Sequence, residues 1–582
     1  MSDPQLYDEG VTATVDPVRL ELTWPNKDRF LLSPKDETGK PVWVERDHPA
    51  AHEVRVADIT NTHGNVPTDP RAGNLLMTGD SLDALRVLWA TPEFARLYRG
   101  QVKLVYIDPP FNTGQTFDHY DDWMEHSTWL SFMRDRLLLI KDLLARDGTL
   151  WLHLDNFEVH RMRCLLDEIF GSTNHLGTVV WQRTSAKSLA RKTMGTMHEQ
   201  ILVYGATDAA HLNTLYLPLE DAYLAKRYTG VDDRGRYDTG DLTATSYRPH
   251  LDSGKPWRGH DPSSRRRCWA VPTAPLVEAG FSEADLDALT MREKLDALDE
   301  HGYIHFPDKG GFPRFKKYAH KAKGRAIGDL WTDVGVINSQ AVERTGFSTQ
   351  KPEALLKRVI EMATEPGDIV LDCFGGSGTT AATAHKLGRR WVSVEVLPET
   401  MKDFIVPRLT KVVDGTDSGG ITTSVGWAGG GGFAQVELAP SLYEVLPGGL
   451  VLMGDGIEET TFARAAAAQL GFTYEPSPPF SGNRNGMRLA TFCGAVGIPE
   501  ATHVLSHLEP GERVTLVAAS VLSGVEEHVA STARGSLVLK APRDVLTEAT
   551  RRRTARTVAS MTTRPAGEPL VPAAVATPEV PA

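Results

Sequence analysis

The sequence predicts an α/β fold in which helices cover the faces of a parallel sheet. Three observations carry this. Short apolar runs of strand length recur at 75–77, 103–107, 149–154, 369–371 and 391–396. Segments with apolar residues at helical spacing alternate with them, and that alternation builds parallel sheets. A glycine-rich loop, Gly375-Gly-Ser-Gly378, joins one such strand to one such helix.

In chain order, Leu75-Leu-Met77 is a strand, Gly79-Asp80 a turn, and Ser81 the expected N-cap of a helix carrying Leu82, Leu85 and Leu88. The 103–107 strand leads to a long helix with Met133, Leu137, Ile140 and Leu144 on one stripe and Gly148 as its stop. Residues 149–154 form a third strand. Val159, Met162, Leu166 and Ile169 mark a further helix, ended by Gly171. The rhythm returns with a helix over 353–363, Pro352 in its first turn. The 369–371 strand, a helix over 379–387 and the 391–396 strand follow.

With 582 residues the chain is long enough for two to four domains. Its 41% hydrophobic and 24% charged content is that of a soluble globular protein. No apolar run has the length of a membrane span, and the start, MSDPQLYDEG, is no signal peptide. Cys164, Cys268, Cys373 and Cys493 are scattered without metal-ligand spacing, which points to reduced thiols in a cytoplasmic protein and to no metal site. A net charge of -12 speaks against a nucleic-acid partner only as a global sum, which can hide a basic face.

Composition divides the chain into an irregular N-terminal arm (1–70), a first sheet half (71–205), an insert (206–340), a second sheet half (341–415), a Gly-rich linker (416–432), a small α/β domain (433–547) and a basic stretch with a disordered tail (548–582). The insert loses the strand–helix rhythm and is rich in Gly, Pro, basic and aromatic residues.

Asp372-Cys-Phe-Gly-Gly-Ser-Gly378 follows a strand and opens a helix. Glycines there let the backbone approach a ligand and leave helix N-terminal N–H groups available. Glu395 ends the next strand, 21 residues after Phe374, where an acid can take both hydroxyls of a ribose. The loop lacks the third glycine of Gly-x-Gly-x-x-Gly, and no Lys-Ser/Thr follows it. A cofactor with a ribose and no phosphate fits best.

The 103–107 strand ends in Asp108-Pro-Pro-Phe111. Two prolines stiffen the chain and remove two N–H donors. What remains is acceptors: the Asp108 carboxylate and the carbonyls beside it. An exocyclic amine on a base is a poor nucleophile, because its lone pair is delocalised. Acceptors on its hydrogens draw the nitrogen towards sp³ and free that pair. Phe111 offers a flat surface for the ring.

Together these motifs resemble the S-adenosylmethionine-dependent DNA amino-methyltransferases of the circularly permuted β group, above all the adenine-specific Mod subunits of type III restriction-modification systems. Asp108, Pro109, Pro110 and Phe111 match the catalytic motif, and Phe374, Gly375, Gly376, Ser377 and Gly378 the cofactor loop. Asp80 matches the cofactor-side acid, Thr349-Gln350-Lys351-Pro352 the motif before the loop, and His198 to Tyr204 a strand lining the target pocket. The resemblance implies a doubly wound, Rossmann-like, permuted methyltransferase sheet whose strands bearing Asp108 and Phe374 lie side by side, with 206–340 as a target-recognition insert. It implies cofactor contacts from Asp80, Thr349, Gln350, Lys351, Asp372, Phe374, Gly375, Gly376, Ser377, Gly378 and Glu395. The implied reaction is methylation of adenine N6 in a base flipped out of double-stranded DNA. Aspartate at 108 favours adenine; cytosine-N4 relatives more often carry serine there. Cytosine-N4 methylation, methylation of protein glutamine or RNA, and a non-catalytic DNA-binding subunit are the alternatives. The implied partners are DNA, a second copy of the chain, and a restriction, helicase or other phage-defence subunit, with no membrane. Ser477-Pro-Pro-Phe480 fits the catalytic pattern only loosely and is expected to be a Pro-rich turn.

Charge supports a DNA face locally. Residues 305–325 carry seven Lys or Arg against one Asp, interleaved with Phe306, Phe312, Phe315 and Tyr318. Arg314, Lys316, Lys317, Lys321 and Lys323 in this run, and Arg265, Arg266 and Arg267 beside Trp257 and Trp269, are the expected DNA contacts. Arg183, Lys187, Arg191 and Lys192 form a third basic group.

Overall fold

The computed structural model describes residues 21–34, 40–113, 124–184, 194–308, 310–446 and 450–547. The first twenty residues, the 548–582 tail, and Lys187, Arg191 and Lys192 lie outside them. The chain divides into two compact units, one made of 1–213 with 329–582 and the other of 214–328.

The larger unit is built on a ten-stranded sheet. In chain order its strands are β1 (Ala57–Gly64), β2 (Asn74–Thr78), β3 (Val102–Ile107), β4 (Leu144–Leu154), β5 (His175–Gln182), β6 (His198–Gly205), β7 (Leu330–Trp331), β8 (Ile369–Asp372), β9 (Arg390–Glu395) and β10 (Gly432–Leu438). Their order across the sheet is β7-β5-β6-β4-β3-β8-β9-β2-β10-β1. The run from β4 to β10 is parallel throughout. β6 reverses direction against both β4 and β5, and β1 against β10.

The chain steps from β2 to β3 to β4 in one direction and from β8 to β9 in the other. Right-handed crossovers therefore put the connecting helices on opposite faces. The helices Ser81–Ala90, His126–Leu143 and Val159–Phe170 share one core with Leu75, Met77, Val105, Ile107, Leu371 and Val394. Glu353–Ala363 and Thr379–Lys386 pack on the strands β3, β4, β8 and β9. Period-two alternation explains how Leu76, Leu104, Tyr106 and Val370 are equally buried on the other side. β3 and β8 are neighbours, as the resemblance requires. Their C-terminal ends define the point where the winding reverses, the place where open α/β sheets bind ligands.

Several expectations are corrected. The N-cap of the first helix is Asp80, whose carboxylate accepts from Leu82 N at 2.8 Å, and Ser81 is the first helical residue. The long helix ends at Leu143, not Gly148; Leu144 is already extended and β4 runs through the glycine. A Cβ at Gly148 would lie 2.7 Å from the Val102 carbonyl, so glycine there permits close strand approach. The arm expected over 1–70 is not irregular throughout: Arg29–Ser33 and Val42–Glu45 pair, and β1 closes the sheet edge. β1 reads ADITNTHG, too polar for an apolar-run criterion because it is an edge strand. β10 belongs to the main sheet although the linker and small domain were expected to meet there.

Residues 451–547 include a mixed sheet ordered Thr473–Ser477, Phe480–Arg484, Met487–Val496, Arg513–Val521, Leu537–Lys540. Ser477 and Phe480 face each other across a hairpin, so that Pro-Pro pair is a turn. The Glu459–Leu470 helix ties this part to the main core: Ala468 joins the core, and Gln469 bonds Val54 N and the His52 carbonyl at 2.7 Å each.

The smaller unit has its own four-stranded sheet, Gly230–Asp232, Gly235–Asp241, Arg314–Tyr318 and Ile304–His305, and its own core. Trp257, Trp269 and Tyr318 are buried in that core, with Phe312 and Phe315 packed against it.

Candidate active site

At the C-terminal ends of β3 and β8 lies a cavity of about 270 Å³. Its lining includes Asp108 and Pro110 after β3, the loop from Asp372 to Ser377 after β8, Glu395 at the end of β9, Asp80 after β2, and Thr349 and Lys351. Residues that are as much as 315 positions apart in the chain thus meet because four parallel strands end side by side.

The glycine loop is held from behind. Gly376 has φ +52, in the left-handed region, and donates its N–H to Glu395 Oε2 at 2.9 Å. Glu395 Oε1 accepts from Leu397 N at 3.1 Å. Burial raises the Glu395 carboxyl above its usual range, with these amides acting against it. Gly378, expected at the cofactor, instead caps the Thr379–Lys386 helix with φ +72, and a Cβ there would meet Ile405 Cγ2 at 2.9 Å. Arg408 donates to the Ser377 carbonyl and to Thr379 Oγ1, and it pairs with buried Glu353 at 2.8 Å. Lys386, buried as well, completes that ion network.

Asp372 is buried beneath the loop. Burial pushes its carboxyl up to about 7, the Thr380 and Phe374 hydrogen bonds act against this, and the nearby Asp108 and Glu395 charges add to it. Asp80 behaves oppositely. Burial would raise it, but Arg136 and the Leu82 and Asp83 amides outweigh burial and hold it low. Arg136 reaches both Asp80 oxygens, at 2.8 and 3.0 Å, and lies over the Phe132 ring.

On the β3 side, Asp108 Oδ2 accepts from Lys351 Nζ at 2.5 Å. Asp108 Oδ1 is buried and has no partner among the described residues. The Pro110 carbonyl accepts from Trp129 Nε1 at 2.8 Å. Phe111 lies beside His153, with ring centroids 6.1 Å apart, and Lys351 Nζ stands 5.1 Å from its centroid. Asn112, at φ +60, locks the turn: its amide donates to buried Glu158, and its carbonyl accepts from Met124 N. His153 bonds Tyr106 Oη through Nδ1 at 2.8 Å, and its Nε2 lies 3.0 Å from Glu199 Oε2. Burial would raise Glu199; Lys351, His153 and Arg183 together outweigh it and hold the carboxyl far below its usual range.

Two expected cofactor residues thus sit elsewhere than the cavity wall. Gln350 braces its own loop, accepting from Thr345 N and donating to the Glu343 carbonyl. Gly378 shapes the helix start. Arg136, Phe132, Phe347, His153 and Asn112 were not anticipated. In the smaller unit the basic residues are largely engaged. Arg267 and Arg314 pair with Asp241, Lys316 with Asp232, and Lys321 with Glu278. Arg265 and Arg266 lie over Phe312 and Tyr247. Lys317 and Lys323 are exposed.

The described lining carries four carboxyls, Asp80, Asp108, Asp372 and Glu395, against one ammonium. Such a wall suits a cationic ligand with hydroxyls to bind. Residues 102–405 match the family model N6_N4_Mtase, DNA methylase. The chain belongs to the DNA methylase family. It is 31% identical over 415 residues to the HindVI Mod subunit of Haemophilus influenzae, named a probable type III restriction-modification enzyme, a match covering 63% of this chain and 54% of that one. It is 30% identical over 318 residues to the type II methyltransferase M.EcaI of Enterobacter cloacae, covering 53% and 66%. The chain therefore spans about half to two-thirds of the length of these relatives. Among solved structures, the PvuII DNA methyltransferase (cytosine-N4-specific) aligns over 62% of this chain and 95% of its own, at 15% identity and a TM-score of 0.32.

Proposed function

We propose that this chain methylates the N6 amino group of adenine in double-stranded DNA, with S-adenosylmethionine as methyl donor, within a restriction-modification or related phage-defence system. The observation that carries the reading is the meeting of Asp108 and the Gly375–Ser377 loop in one cavity. Glu395 and the backbone of the glycine loop would hold the cofactor's ribose, and the acidic lining complements its positive charge. When bound, S-adenosylmethionine supplies an electrophilic methyl on a sulfonium.

This chain's own residues then prepare the nucleophile. The Asp108 carboxylate accepts an amine N–H and draws the nitrogen towards sp³. The Pro109 carbonyl, the acceptor that the resemblance implies, would take the second N–H, while the Pro110 carbonyl already accepts from Trp129. Phe111 offers its ring face to the flipped base, worth about 1–3 kcal/mol if it stacks. Catalysis rests mainly on holding the amine in line. Aspartate rather than serine at 108 supports adenine over cytosine.

A restriction subunit as partner is supported by likeness to a Mod subunit, and co-purification from the host tests it. Among the described residues no helix is long and apolar enough to cross a membrane, which fits a cytoplasmic DNA substrate. Methylation-sensitive sequencing of host DNA, with and without the gene, tests the activity. Loss of N6-methyladenine at one recurring sequence is the expected result. Unchanged methylation in the deletion strain contradicts the proposal.

A further inference from the structure

We propose that Lys351 is a placeholder for the target amine: in the absence of DNA its ammonium holds the acceptor and the ring face that the base must take. This rests on the amino-methylation proposed above. Nζ donates to Asp108 Oδ2 at 2.5 Å and stands 5.1 Å from the Phe111 centroid. Those are the two partners assigned to the adenine amine and its ring. The other oxygen, Oδ1, is buried, so the accessible oxygen is the one already taken. One side chain covers both the oxygen and the ring, and a base that uses both must move it.

The ammonium has a second anion to go to. Glu199 is buried; Arg183 pairs with its Oε1 at 2.8 Å, and its Oε2 lies 3.0 Å from His153 Nε2. Lys351 lies within electrostatic reach of that carboxylate and is the foremost charge opposing the effect of its burial. A swing from Asp108 to Glu199 exchanges one pairing for another. The ammonium is therefore not stranded, which would otherwise make its displacement prohibitive.

A placeholder lowers apparent affinity for the base by the fraction of molecules in which it has moved aside. The test compares two duplexes carrying the recognition site, one with adenine at the target and one abasic there. Dissociation constants are measured for wild type, Lys351→Met and Lys351→Arg. The Met variant should prefer the adenine duplex more strongly than wild type by about fivefold, because nothing competes for Asp108. The Arg variant should prefer it less, since a guanidinium grips a carboxylate with two bonds. Binding to the abasic duplex should be the same in all three. An order of Arg at or above Lys and above Met, or equal shifts on both duplexes, overturns the proposal, because an attractive DNA contact or a purely structural lysine would behave that way. The melting temperature reports folding, and Lys351→Gln replaces any variant that loses it. If wild type neither methylates nor distinguishes the duplexes, the proposed function fails instead.

Discussion

Asp372 carries a consequence of its burial that can be measured without any substrate. Its carboxyl titrates near 7 in the folded protein, above the usual carboxylate range. The protonated form is thus favoured by folding. Its contribution to stability is full below about pH 4 and is lost as pH rises through about 7, at roughly 1.4 kcal/mol per pH unit across that window. Asp372→Asn cannot ionise. The melting-temperature advantage of wild type over this variant should therefore shrink between pH 5 and 8; a constant difference would mean that Asp372 does not titrate there. Gly376→Val should lose cofactor affinity, because φ +52 disfavours a branched residue and the Glu395 brace moves with the backbone. Calorimetry with S-adenosylmethionine checks this, and wild-type affinity would remove the loop from the site. Asp108 and Glu395 were legible because each sits within a few residues of its own strand and turn signals. Arg136 on Asp80 was not, because the partners are 56 residues apart. The Lys351–Asp108 pair spans 243 residues, and no local pattern encodes it.

Basic residues on the Arg314–Tyr318 strand show how far a charge count can mislead. The window 305–325 is strongly basic by itself, yet its neutralising acids, Asp232, Asp241 and Glu278, lie outside it. Antiparallel pairing with Gly235–Asp241 brings Asp241 opposite Arg314. On a DNA face the interleaved aromatics would be stacking surfaces. Tyr318 is instead core, Phe312 and Phe315 pack on that core, and Phe306 stacks on Trp257. An isolated sequence window cannot distinguish a ring facing nucleic acid from one facing its own sheet. If this unit meets DNA, Lys317 and Lys323 are, of the contacts expected from the sequence, the two that are exposed with no ion pair among the described residues. Replacing both with Gln should lower the magnitude of the log–log salt slope of DNA binding by up to about 0.9 for each phosphate no longer neutralised. Replacing Lys316 and Lys321 should change it less, because Asp232 and Glu278 already hold them. The reverse order would show that those ion pairs open on DNA.

Across the molecule, the strand–helix alternation revealed the parallel centre of the sheet but not its edges. β1 is polar, and β10 follows a glycine-rich stretch, so both fell outside the rhythm although β10 pairs with β2 along five residues. Truncation tests what that means. A chain ending at Pro440 keeps β10 and should retain cofactor binding at a lowered melting temperature, having lost the Gln469 brace to Val54. A chain ending at Gly431 loses β10 and uncovers β2, next to Asp80, and should lose binding as well. Equal behaviour of the two would mean that the edge does not support the site. Asp108 and the glycine loop are proposed to form one site that methylates an amine on DNA. Its most direct measurement is mass spectrometry of nucleosides from DNA incubated with purified protein and isotopically labelled S-adenosylmethionine, with Asp108→Ala alongside. Labelled N6-methyladenine is expected from wild type and none from the variant, whose cofactor affinity is retained. Label in N4-methylcytosine would correct the base, and equal labelling by Asp108→Ala would contradict the site itself.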